Sequence, residues 1–336
     1  MFSGRSLHLD GPLLIALVFL SALGLVVIFS ASGENWDVML RQGVRLGVSL
    51  VAMLILAQVP PETLRRLSPH LFVIGLVALL GVLVIGVTAK GAQRWLDLGV
   101  VRFQPSELMK LAVPMAVAWL LTRGRLPPSF TMVMAALMVT LIPAGLVVIQ
   151  PDLGTAIMLI VSGMIVVFLA GIRWHHIMML LAALAASAPF LWSRFDGYQQ
   201  QRILTLFDPF SDPLGSGYQT IQAQIAIGSA GIWGKGWLEG SQSHLEFIPE
   251  RSTDFIFAVF AEEFGLIGVL MLVLLYVFIV GRCLVMAYHT RNTYSRLLIG
   301  ALALTFFFYL FVNLGMVSGI LPIVGVPLPL ISYGGT

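Results

Sequence analysis

The segment "FIPERSTDFIFAVFAEEFG", residues 247–265, joins a dense charged cluster to an apolar helix. Glu250, Arg251 and Asp254 come first, and two further acids, Glu262 and Glu263, precede the unbroken apolar run. Charge near lipid is costly, so the setting of this segment has to be fixed first. Composition fixes it. The chain is 58% hydrophobic and only 10% charged, with a mean hydropathy of +0.95. Nearly uncharged runs recur along all 336 residues, each able to cross about 30 Å of hydrocarbon. Lys and Arg are scattered between these runs and not gathered on one face, which excludes a nucleic-acid interface. The single cysteine, Cys283, excludes an internal disulfide framework and a cysteine metal cluster.

The reading is an all-α, polytopic membrane helix bundle. Nine spans are expected at about 11–31, 43–59, 70–88, 105–121, 130–149, 153–171, 175–193, 254–281 and 296–320. The first resembles a signal peptide, but it is longer than a usual signal core and many spans follow, so it stays uncleaved. No internal repeat or linker divides the chain, so residues 1–336 form one transmembrane domain, with a long loop at about 194–253. Arg65 and Arg66, Arg123 and Arg125, Arg173, and Arg282 and Arg291 fall in the even-numbered short connections, which are therefore cytoplasmic. Arg5 puts the N-terminus with them. Of the 16 acids only Asp10 and Glu62 lie on that side, so the long loop and the charged cluster face outside. Nine spans leave the C-terminus external, and a tenth span is expected to follow.

Polar groups at membrane depth are the functional candidates. In "FQPSELMKL", Glu107 and Lys110 are three apart and share a helical face. They are either a self-neutralising ion pair or the lining of a polar cavity. Arg45, one turn beyond Arg41, either snorkels to the interface or offers a guanidinium to diphosphate oxygens. Asp152, in "IQPDLGTA", reads as a turn and helix start. Ser252 or Thr253 is the expected N-cap of the next helix, which places Asp254 in its first turn. Asp254 is either a helix-start acid or a carboxylate at a cavity mouth, where the long loop returns to the membrane. Glu262 lies roughly 80° round the helix from Asp254 and Glu263 near the opposite side, so at least one pairs structurally with another helix. Residues 217–231 read as a helix lying at the interface, with Tyr218, Ile221 and Ile225 on one side. "KGAQRWLDLG" lacks phosphate-loop spacing, so its glycines supply turns. His175 and His176 read as a solvated pair, and His8, His70, His244 and His289 are scattered.

Together, "KGAQRWLDLG", "FQPSELMKL", "IQPDLGTA", "GYQTIQAQIAIGSAGIWGKG", "FIPERSTDFIFAVFAEEFG" and the terminal "PLPLISYGG" resemble the SEDS family (shape, elongation, division and sporulation), and its rod-elongation branch most. The resemblance implies ten spans and a membrane-embedded peptidoglycan glycosyltransferase that polymerises lipid II at the outer face of the cytoplasmic membrane. It implies a class B penicillin-binding transpeptidase as partner. It places the family's essential aspartate on Asp254, and the Glu and Lys of its "QPSE..K" motif on Glu107 and Lys110.

Such chemistry needs a carboxylate to take the proton of the acceptor hydroxyl, and Asp254 is the candidate base. Cationic side chains or a divalent metal, Mg or Mn, would stabilise the leaving lipid diphosphate. Lys110 and Arg45 are the side-chain candidates, and no metal motif is visible. The rival class is a lipid II flippase or another transporter of lipid-linked substrates. Transporters often carry inverted repeats and broken midplane helices, and neither is clear here. A non-catalytic scaffold leaves Glu107 and Lys110 unexplained.

Overall fold

The computed structural model describes residues 9–89, 92–97, 99, 102–194, 197–208, 217–241 and 250–334. Arg5, His8, His244 and Pro249 lie outside the described residues. The helices are α1 (Gly11–Ala31), α2 (Trp36–Leu56), α3 (Pro61–Ile85), α4 (Pro105–Leu121), α5 (Phe130–Ile149), α6 (Leu153–Leu169), α7 (Trp174–Arg194), α8 (Gly197–Phe207), α9 (Tyr218–Ser229), α10 (Ile256–His289) and α11 (Thr293–Val317). Among the described residues six of these, α1, α2, α3, α5, α10 and α11, are long and apolar enough to cross a membrane. Shorter apolar helices lie at Leu153–Leu169 and Trp174–Ser187. Each expected span overlaps one helix. α2 and α3 begin earlier than expected because Asn35 caps the first through its side chain, and Pro61 starts the second, where its missing N–H costs nothing.

The chain divides into two compact units. One comprises Pro60–Leu191 and Cys283–Phe306. Its centre is α4, whose Met109, Ala112, Val113, Val117 and Ala118 are fully buried. Small residues let its neighbours approach: a Cβ on Gly75 of α3 would overlap Met109. Between α3 and α4 lies an antiparallel sheet of three short strands, β1 (Val87–Ala89), β2 (Ala92–Asp97) and β3 (Arg102–Phe103), in that order. Asp97 pairs with Arg102 and Leu96 with Phe103 across β2 and β3. Asp97 accepts a hydrogen bond from the Gly99 N–H at 2.9 Å, and Gly99 takes φ 82°. "KGAQRWLDLG" therefore builds a sheet as well as turns. Arg94 of β2 donates to the carbonyls of Gln150 (3.1 Å) and Pro151 and lies 3.7 Å from the Asp152 carboxylate. Asp152 in turn caps α6 by accepting from the Thr155 N–H at 3.3 Å. That is the structural role expected of it. His176 is buried beside Phe130, so the two histidines are not a solvated pair: α7 already starts at Trp174 and turns His176 inward.

The other unit comprises Met1–Val59, Trp192–Arg282 and Phe307–Thr336. Asp10 caps α1 and forms an ion pair with Arg282 at 2.7 Å. Arg282 thus lies within α10 and not in a loop. Its hydrogen bonds, with that of the Leu13 N–H, hold the Asp10 carboxyl below the usual carboxylate range. The stabilisation this gives is present near neutral pH and lost as pH falls through the depressed value. On α9 the buried face is Thr220, Ala223 and Ala226, while Ile225 is exposed. The buried positions are thus small residues, and Ile225 is not among them.

α10 is not one continuous helix. Gly265 takes φ 63° and ψ −165° inside it, a conformation essentially restricted to glycine. The break frees backbone groups on both sides, and the 231–236 loop satisfies them. Lys235 N–H donates to the Glu262 carbonyl at 3.0 Å and Gly236 N–H to that of Glu263 at 3.1 Å. Leu266 and Ile267 N–H donate to the carbonyls of Gly231 and Ile232 at 3.2 Å each. Glu262 and Glu263 are fully buried at this junction. Lys235 Nζ donates to Glu262 at 2.7 Å and Ser30 Oγ donates to Glu263. Both acids are structural, as expected of at least one. The angular placement relative to Asp254 fails because the helix begins only at Ile256.

A Cβ on Gly265 would overlap the Gly234 nitrogen. Gly265→Ala is expected to lower stability by about 1–3 kcal/mol from backbone strain alone, with the overlap adding to it. Gly228→Ala, on an open face of α9, should be neutral or stabilise by roughly 0.5–1 kcal/mol. Thermal unfolding midpoints in detergent check both. A Gly265→Ala midpoint equal to wild type would mean that the break is not obligatory.

Candidate active site

Asp254 sits in a turn, residues 250–255, directly ahead of α10, and is half-buried. It is neither in the first helical turn nor capped as expected. The Thr253 hydroxyl reaches backwards, donating to the Glu250 carbonyl at 3.1 Å and its carboxylate at 2.8 Å. Phe255, the next residue, is buried, so the carboxylate stands at the edge of an apolar core. Glu250 takes φ 54°, which bends the chain into the turn.

The turn is held from the C-terminal side of the chain. Tyr333 N–H donates to the Ser252 carbonyl at 2.8 Å. Ser332 Oγ donates to the Thr253 carbonyl at 2.6 Å. Asn313 Nδ2 donates to the Asp254 carbonyl at 2.9 Å. Gly325, at φ 69°, faces the carboxylate: a Cβ there would lie 3.3 Å from Asp254 Oδ2. Arg45 reaches the same terminal segment. Its guanidinium carbon lies 4.7 Å from the centroid of the Tyr333 ring, a cation–π distance. One turn earlier on α2, Gln42 accepts from the Gly334 N–H at 3.2 Å and donates to the Ser332 carbonyl at 3.4 Å. The terminal segment therefore links Asp254 and Arg45 within one unit.

Glu107 and Lys110 lie in the other unit, in the first two turns of α4. Lys110 Nζ donates to Glu107 at 2.7 Å. Their side chains retain 29% and 16% of their exposure, so this pair is open enough to meet a ligand. Pro105 at the start of α4 and the three-residue spacing produce the pair, as the sequence reading had it. Among the described residues no three His, Cys, Asp or Glu side chains converge as a metal cage.

Gln42, Asn313 and Gly325 went unread in the sequence, as did any structural role for "SYGG". A signal existed for Asn313, a lone amide inside the apolar run "FVNLGMV": such a group needs partners at membrane depth. Gln42 and Gly325 carry no comparable mark, because their partners are backbone groups brought close only by the fold.

One unit offers a half-buried carboxylate on an anchored turn and the Arg45 guanidinium; the other offers the Glu107–Lys110 pair. Residues 12–336 match the model of the family FTSW_RODA_SPOVE, described as cell cycle protein. The chain is 50% identical over 330 residues to the peptidoglycan glycosyltransferase MrdB of Escherichia coli K12, covering 98% of this chain and 89% of that one. It is 35% identical over 331 residues to a probable peptidoglycan glycosyltransferase FtsW of E. coli, covering 94% and 79%. Among solved structures, a chain from work on structural coordination of polymerization and crosslinking by a peptidoglycan synthase complex matches with TM-score 0.85 and 34% identity, over 97% of this chain and 92% of that one. The rod shape determining protein RodA of Thermus thermophilus matches with TM-score 0.72 and 31% identity, over 97% and 90%.

Because Arg45 meets the ring face of Tyr333 and not its hydroxyl, Tyr333→Phe should leave the thermal unfolding midpoint unchanged. Tyr333→Ala should lower stability by about 0.5–1 kcal/mol, the scale of an exposed cation–π contact. Equal midpoints for the two variants would remove Tyr333 as the partner of Arg45.

Proposed function

The chain belongs to the SEDS family of cell cycle proteins, in its rod-shape branch, and from that membership we propose its substrate, its orientation and the roles of its site residues. It is a multi-pass helical membrane protein and a peptidoglycan glycosyltransferase. The observation that carries this is 50% identity to MrdB along nearly the whole chain. Its substrate is lipid II, and its product a growing glycan strand.

Asp254 is the general base. Its carboxylate takes the proton from the acceptor sugar's 4-hydroxyl while that oxygen attacks the donor's anomeric carbon. The bond from that carbon to the lipid diphosphate breaks, and the diphosphate leaves as an anion that needs no proton. A donor linked through an α-diphosphate and a β-linked product require one inversion, which a single base serves. Lys110 and Arg45 bind anionic oxygen, with the flat guanidinium of Arg45 suited to a pair of phosphate oxygens. Glu107 holds Lys110 in place, supported by their 2.7 Å contact.

The reaction faces outside. Within the unit that holds both, Asp10 and Arg282 pair at the start of α1, and Gly33, just past its end, lies near Arg251. The 21 residues of α1 separate the two ends by about 1.5 Å each, roughly 30 Å. Glu62 also pairs with Arg65 and Arg66, at 3.6 and 3.7 Å. With the arginine-rich connections in the cytoplasm, the Asp254 turn lies at the outer face of the inner membrane. A class B penicillin-binding transpeptidase is the partner that would crosslink the product, a reading supported by the similarity to a chain of a peptidoglycan synthase complex.

The test is polymerisation of lipid II by the purified chain, with and without the transpeptidase. Asp254→Asn should lower turnover roughly 100- to 10,000-fold, the range of general-base catalysis, with lipid II binding retained. Lys110→Ala should lower it roughly 100-fold. Wild-type turnover by Asp254→Asn would remove the base assignment. A wild type that moves lipid II across liposomes and never polymerises it would replace the enzyme reading with the transporter reading.

A further inference from the structure

We propose that Asn313 and Ser332 are positioning residues for the transfer reaction: they fix the Asp254 turn through its backbone carbonyls and so set where the carboxylate stands. The inference rests on Asp254 being the base. Three successive carbonyls, of Ser252, Thr253 and Asp254, each accept a hydrogen bond from the C-terminal part of the chain. Three anchors on three adjacent peptides leave the turn little freedom to swivel about its long axis.

Asn313 is the central anchor. It is fully buried in α11, and its Nδ2 donates to two carbonyls, Asp254 at 2.9 Å and Val326 at 2.8 Å. Two carbonyls on one side of the amide fix its orientation, since only the NH2 end can meet both. Val326 follows Gly325, the residue that faces the Asp254 carboxylate. One amide therefore sets the floor under the carboxylate and the peptide that carries it. No other small side chain supplies two coplanar donors at that reach. Ser332 works in parallel. Its hydroxyl donates to Thr253 at 2.6 Å and accepts from the Leu328 N–H at 2.8 Å. Neither side chain needs to touch substrate. A proton-transfer base must be held within about 0.5 Å of its productive place, and a 1 Å error costs on the order of 100-fold in rate.

The experiment uses the full chain, purified as wild type, Asn313→Ala, Asn313→Ser, Ser332→Ala and Asp254→Asn. Lipid II polymerisation is followed across pH with kcat and KM separated, and thermal unfolding is measured alongside. The expected result is a graded loss of kcat: roughly 100-fold for Asn313→Ala, less for Asn313→Ser, which keeps one donor, and roughly 10-fold for Ser332→Ala. KM for lipid II should stay within about twofold, and the acid limb of the pH–rate profile should move in each positioning variant. A structural role alone would lower the folded fraction and leave both kcat per folded molecule and the acid limb unchanged, which would overturn the inference. Should Asn313→Ala fail to fold, Ser332→Ala decides by the same criteria. If Asp254→Asn is inactive while the folded variants at 313 and 332 keep wild-type kcat and acid limb, the positioning inference alone fails. If Asp254→Asn turns over normally, the base assignment fails and the inference falls with it.

Discussion

An unpaired backbone amide or carbonyl in hydrocarbon costs several kcal/mol, and this constraint organises the unit that holds Asp254. Three of its stretches of irregular backbone are the 231–236 loop, the 250–255 turn and the segment after α11. Each satisfies another part of the chain. The loop fills the break at Gly265 with four main-chain hydrogen bonds. The terminal segment, with Asn313, takes up the carbonyls of the turn. The turn bearing the acid is thereby anchored at three successive carbonyls.

The same constraint sorts the charges. Glu262 and Glu263 sit at the break with Lys235 and Ser30 as partners. Asp10 caps α1 and pairs with Arg282, while Asp152 caps α6 and meets Arg94. Each of these acids holds one element to another. At Asp254 the backbone carbonyl takes one of the three hydrogen bonds that anchor the turn, and the residue is half-buried beside the buried Phe255.

The helices were legible because hydropathy alone marks a segment that must cross hydrocarbon, and each expected span met a helix. Their ends were less legible. α10 runs to His289 and carries Arg282, because the Asp10 partner that lets the charge sit there comes from the other end of the sequence. The Glu107 and Lys110 pair could be read from spacing, since i,i+3 contacts are local. The Gly265 break could not, since its cause is a loop whose contact depends on tertiary approach. The small sheet around β2 went unread for a related reason: its strands are two to six residues long, too short for alternation to declare itself. Asp254 itself was ambiguous on spacing, and the family resemblance gave it a role before the geometry gave it an anchor.

The distribution of acids bears on the stereochemical course. A retaining transfer needs a nucleophilic carboxylate and a second group to activate the acceptor, about 5 Å away in the glycosidase pattern. Among the described residues of this unit, Glu250, Glu262 and Glu263 are otherwise engaged. Glu262 and Glu263 are fully buried in structural pairs, and Glu250 accepts from Thr253 within the turn itself. A diphosphate is a good leaving group without protonation, so an inverting transfer asks for a base and for anion binding and for no second acid. The proposed roles of Asp254 as base and of Arg45 as anion-binding group match that shorter list. With Asp254 as the proposed base, inversion is the course that needs only the one carboxylate that this turn anchors.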